Sequence, residues 1–208
     1  MTATPEAPIS INYSVVPAMV TRNDDTQGRV KVRYPWMGDE DESDWIAVSG
    51  PGAGSDRGLF CIPAANDQVL VAFSFGQIDK AYVIGALWST ADKPPSAGDP
   101  EKRTWKSRSG HAIVLDDTGG AERISIIDRS GTSAITIDTA NKTVTIESAG
   151  DLTIRAAGNL VFEAGNDVTV NGTNIALTAS AKLAAKGSSM ALNGPAGVKV
   201  NDGALEVV

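Results

Sequence analysis

His111 and Cys61 are the only histidine and the only cysteine among the 208 residues, so chemistry that needs such side chains has little to draw on. A zinc centre takes three or four Cys, His or carboxylate ligands, and one His with one Cys does not make that set. A Cys61–His111 nucleophile and base would require two separate domains to meet. The Asp116-Asp117 pair could in principle divide acid and base roles. It stands directly before Thr118-Gly119-Gly120, however, where aspartate is a turn former. The run Asp39-Glu40-Asp41-Glu42-Ser43-Asp44 offers oxygens to a cation but lacks the alternating ligands and central glycine of a calcium loop, and it reads as a solvated hairpin tip. Lys102, Arg103, Lys106 and Arg108 surround Trp105, a grouping that could stack on a nucleic-acid strand. Beside an acidic neighbouring domain, a contact between copies of the chain is the preferred reading. The sequence therefore predicts no enzyme, no catalytic residue, no cofactor and no metal.

Charge points the same way. The formal net charge is -7; residues 1–100 carry -6 of it and the remainder -1. Nucleic acids and anionic membranes are held by clustered Lys and Arg, so neither is an expected partner. A lone cysteine indicates no disulfide framework. No run of about 18 apolar residues and no charged-then-apolar leader is present, so synthesis in a cytoplasm without a signal peptide is expected.

The elements that would position these residues are strands. The last third of the chain, from Val144, repeats: lead residues Val144, Leu152, Leu160, Val168, Ile175, Leu183, Ala191, Val198 and Leu205 recur at steps of seven or eight. A fixed short period marks a repeat architecture. Each unit opens with alternating apolar residues and then reaches Gly, Asn or Asp, which tolerate tight turns. One strand-turn unit cannot bury its apolar face alone. Eight residues fit poorly the hexapeptide or nonapeptide units of a single-chain β-helix. They suit a chain winding around two copies of itself, with a monomeric solenoid or β-sandwich as the alternative. The predicted shared core comprises Val144, Leu152, Ile154, Leu160, Phe162, Val168, Val170, Ile175, Leu177, Leu183, Val198 and Leu205. Alanines at 176, 179, 181, 184, 185 and 191 suggest a core that narrows toward the C-terminus.

Ahead of the repeat, short strands are expected over Val15–Thr21, Arg29–Tyr34, Trp45–Val48, Gly58–Ile62, Gln68–Phe73 and Ala81–Gly85. They read as a small antiparallel barrel of the OB-fold kind. The Pro- and Ser-rich stretch 89–100 is a linker. The expected organisation is an arm over 1–13, a barrel over 14–88, a linker and neck over 89–108, and a needle over 109–208. The fold class is all-β.

Specific motifs add to this. Gly28-Arg-Val-Lys-Val-Arg-Tyr-Pro-Trp36, Asp44-Trp45, Pro51-Gly-Ala-Gly54 and Gly85-Ala-Leu-Trp88 are followed by Ser109-Gly-His111, Leu115-Asp-Asp-Thr118, Glu122-Arg-Ile124 and Asn201-Asp-Gly-Ala-Leu205. In this order they resemble the central spike proteins of contractile injection machines, the phage baseplate assembly protein V and VgrG-like families. The resemblance implies an OB-fold followed by an intertwined triple-stranded β-helix, a homotrimer that pierces a target envelope when a sheath contracts. It also implies residence in a virion or assembled injection particle and transient contact with the target membrane. With a dozen residues ahead of the barrel, a separate baseplate hub protein is expected, and the acidic tip at 39–44 could meet its basic surface. The short linker leaves no room for a lysozyme domain. The position of His111 does not match the histidine-bound iron that closes some phage spikes. A separate PAAR-like tip would then cap the end at Leu205, Val207 and Val208. The competing class is an OB-fold module that binds a polysaccharide or an oligonucleotide, a reading by fold analogy alone. Trp36, Trp45 and Trp88 sit in motifs that look structural, leaving few aromatics for such binding.

Overall fold

The computed structural model describes residues 15–195 and 197. The N-terminal arm and the predicted core and tip residues Val198, Leu205, Val207 and Val208 lie outside the described residues.

The barrel strands are β1 (Val15–Arg22), β2 (Lys31–Arg33), β3 (Ala47–Val48), β4 (Gln68–Phe73) and β5 (Ala81–Leu87). Their order is β2-β1-β4-β5-β3, antiparallel except for β3 beside β5. The two edges of this sheet then meet. Val30 donates its N–H to the Ile46 carbonyl at 3.0 Å and Ile46 returns one at 2.8 Å. That reciprocal pair curls the sheet on itself and removes much of the edge-strand liability.

Alternation explains the core. Val69, Val71 and Phe73 point inward from β4 while Gln68, Leu70 and Ala72 point outward, as a period of two requires. Val20, Val30, Val32, Val69, Val71 and Val83 are fully buried. Small β-branched side chains suit a barrel too narrow for larger ones. Tyr34 closes the core, tilted against Phe73 at a 5.4 Å ring separation and stacked on Trp36 at 4.9 Å.

One expected strand is absent. Gly58–Ile62 forms none: Gly58 sits at φ +122, and a Cβ there would lie 2.9 Å from the Ala53 Cα. The stretch folds back as a loop, with the Leu59 N–H donating to the Pro51 carbonyl at 3.0 Å.

Beyond the linker lies a second sheet, a meander of β6 (Lys102–Lys106), β7 (Ala112–Asp116), β8 (Arg123–Ile127), β9 (Ala134–Asp138) and β10 (Thr143–Glu147) in sequential order. The neck segment thus contains a strand of its own. Residues 139–195 are all exposed. After Glu147 no strand occurs among the described residues. Extended segments alternate with bends at 149–150, 157–158, 165–166, 173, 180–181 and 188, which reproduces the period of the sequence. Among the described residues these segments make no backbone–backbone hydrogen bond between Ser148 and Asn193.

Candidate assembly surface

The residues with chemical potential are held in turns. His111 directly precedes β7; its Nδ1 accepts the Arg129 N–H at 3.2 Å and its own N–H donates to Ser107 Oγ at 3.0 Å. Cys61 is exposed in the loop between β3 and β4. Among the described residues no group of three or more His, Cys, Asp or Glu is arranged to hold a metal ion.

Asp116 is the one buried carboxylate of the pair singled out by sequence. It accepts from the Thr118 hydroxyl at 2.6 Å and the Thr118 N–H at 3.2 Å, with Arg123 at 3.3 Å and Lys102 at 4.0 Å. The Thr118 hydroxyl, more than any other partner, holds its pKa below the usual carboxylate value. Asp117 pairs with Arg103 instead. Asp116 is therefore held ionised where β7 turns toward β8, which suits a turn organiser and not a proton donor.

The device recurs. Asp128, at the β8–β9 turn, accepts from the Ser130 hydroxyl and from the Thr132 and Ser133 N–H groups at 3.1 Å each. Led by the Ser130 hydroxyl, these partners pull its pKa down to about 2. Asp138, at the β9–β10 turn, is lowered by the Asn141 N–H and side-chain amide. A carboxylate with a depressed folded pKa stabilises fully above its unfolded value of about 3.9 and loses that contribution as pH falls through the folded value. Thermal melts of Asp128→Asn are therefore expected to fall below those of the parent at pH 7 and to converge with them near pH 2. An equal gap at both pH values would remove the assignment.

The acidic run folds back on the barrel. Glu42 bonds Lys31 at 2.7 Å and Thr21 at 3.1 Å, Asp41 accepts the Gly38 N–H at 3.2 Å, and Arg33 donates to the Asp39 carbonyl at 2.5 Å. Trp45 lies under Arg22 and Lys31, within 5.6 Å of both charges. Trp36 stacks on Tyr34, while Trp88 and Trp105 are exposed.

What remains open to solvent is apolar. In the second sheet the register aligns Trp105, Ile113, Ile126, Ile135 and Ile146 in one row and Arg103, Leu115, Ile124, Ile137 and Val144 in the next. All ten side chains point to the same face and all are exposed. This face is lined at one end by Leu152 and His111 around a hollow of about 570 Å³. The opposite face carries Thr104, Asp116, Ser125 and Thr136 and is partly covered, with Ser96 Oγ 2.6 Å from Thr104 Oγ1. A contiguous apolar face of this kind is a candidate interface. Every predicted core residue that is described, from Val144 and Leu152 through Leu183, is 52–73% exposed in the single chain. Reading the sequence missed the isoleucine rows of β7, β8 and β9. Their signal was the period-two alternation in Ala112–Asp116, Arg123–Ile127 and Ala134–Asp138.

The barrel geometry has a counterpart among known families. Residues 16–88 match the family described as the type VI secretion system/phage-baseplate injector OB domain. The chain is also similar to VgrG proteins over about half of its length. It is 30% identical over 122 residues, 53% of its length, to the type VI secretion system spike protein VgrG2a of Pseudomonas aeruginosa. It is 30% identical over 111 residues, 48% of its length, to a Vibrio cholerae protein named actin cross-linking toxin VgrG1. It is 29% identical over 111 residues, again 48% of its length, to the V. cholerae spike protein VgrG3. The chain spans 14%, 10% and 11% of the lengths of these relatives, respectively. No helix among the described residues is long and apolar enough to cross a membrane.

Proposed function

We propose that this chain is a structural subunit of a homotrimeric central spike in a contractile-tail or injection-system baseplate. The observation that carries the reading is the segment 152–193, where regularly spaced apolar residues are exposed and, among the described residues, the backbone makes no hydrogen bond to other backbone of the chain. Backbone N–H and C=O groups beside an apolar core must be paired, and a neighbouring chain of the same period can pair them. Three such chains would wind into a triple-stranded β-helix whose shared core is Val144 to Leu183, continuing to Val198 and Leu205. The needle's work is mechanical: every strand would be hydrogen-bonded to another copy, so force along the axis meets a ladder and not a single chain. The subunit acts without catalysis or cofactor. A baseplate hub protein binds at the barrel, a PAAR-like tip caps Leu205, Val207 and Val208, and the target membrane is touched during piercing. Light scattering on the purified chain is expected to give three times the 21.6 kDa chain mass. A monomer that binds an oligonucleotide or polysaccharide through the barrel would overturn the reading.

A further inference from the structure

A shared core leaves one problem unsolved. From Val144 to Leu183 the lead residues are all Val, Leu or Ile and recur every seven or eight positions. Three copies offset by one repeat would bury nearly the same side chains as three copies in register. Uniform strands are prone to such slippage. Nor can an octad after the first, whose Val144 lies in β10, fix its own place beforehand, since from Leu152 to Asn193 the octads make no backbone–backbone hydrogen bond within their chain among the described residues.

The sheet β6–β10 differs on both counts. Each of its strands is paired in the chain, and its turns are tied by Asp116, Asp128 and Asp138. Its open face does not repeat along the chain, because Trp105 occurs at one edge only. We infer that this face is a registration surface: two further copies of the chain pack on it, fixing the alignment of the three chains before the octads pair. The inference rests on the trimeric spike reading. Two features identify the occupant as a copy. The chain runs directly from β10 through Leu152 into the octads, and only a partner with the same step can pair with those octads along their length. That partner carries the same sheet. Within its two rows the one charged side chain, Arg103, is bonded to Asp117, so the rows themselves present no unpaired charge.

The test uses the full chain with Cys61→Ser. Two differently tagged versions, one Leu160→Cys and one Val168→Cys, are co-expressed, oxidised, and their disulfides mapped by mass spectrometry. With the native face, 160–160 and 168–168 links are expected and 160–168 links are not. Ile126→Thr with Ile135→Thr removes the middle of one apolar row while keeping strand preference. It is expected to raise the 160–168 fraction several-fold or to yield monomer with the sheet intact by circular dichroism. The single change Ile113→Thr guards against loss of the sheet and is expected to give an intermediate fraction. Trimers of the threonine variants with only like-to-like links would overturn the inference while leaving the spike reading in place. A native-face chain that is monomeric would overturn both.

Discussion

Leu160→Asp is expected to leave the chain monomeric at micromolar concentration. In the isolated chain Leu160 is 52% exposed, so aspartate there should cost the fold of one copy almost nothing. In a threefold assembly the same change brings three carboxylates toward one axis. Each copy forfeits about 1.5–3 kcal/mol of leucine burial, and the clustered charges add desolvation and mutual repulsion. The sum exceeds what a marginal assembly can absorb. Ile175→Asp is expected to behave alike. Size-exclusion chromatography with light scattering reads the result, and a variant that still ran as an SDS-resistant trimer would count heavily against a shared core.

The opposite pattern is expected at Val71→Asp. Val71 is fully buried in β4, opposite Val16 of β1 and Val83 of β5. No cationic side chain belongs to the core cluster around it, where the single hydroxyl is that of Tyr34. An unpaired carboxylate in such a place costs at least about 4 kcal/mol, a large part of a small domain's stability. The barrel should unfold even as a monomer, seen as loss of the urea transition in tryptophan fluorescence. A cooperative transition displaced by less than about 1 kcal/mol would contradict the core assignment.

The contrast between these positions also explains what could be read from the sequence. Where one chain supplies both sides of a contact, local pattern was enough: β1, β4 and β5 fall where alternation puts them, and Asp116 organises its turn because a short carboxylate reaches nearby N–H groups. Where a distant backbone decides, pattern failed. Gly58-Leu59-Phe60 looks extended, but the close approach of Ala53 to Gly58 bends it into a loop. Lys102–Lys106 reads as a linker and neck that meets other copies of the chain, yet β7 draws it into a strand, pairing Trp105 with Ile113. The candidate surface was half legible. The octad leads announced themselves by period, and the bends fall at Gly150, Gly158 and Gly165 as expected. The strand state of the octads does not follow from one chain, because their hydrogen-bond partners are not in it. The isoleucine rows of β7 to β9 went unread because alternation tells that a strand has two faces, not which face a neighbour will cover.

The backbone of residues 152–193 makes no bond to other backbone among the described residues, and that has a kinetic meaning. Amide hydrogens there have no backbone partner in their own chain, so in a lone subunit they should exchange with solvent almost as fast as in an unfolded peptide. Protection, when it comes, must be conferred by other molecules. On the spike reading its onset follows the square of subunit concentration, while the barrel amides of β4 stay protected throughout. The two halves of this subunit thus obey different laws: one is stable as a folded domain, the other only as a population.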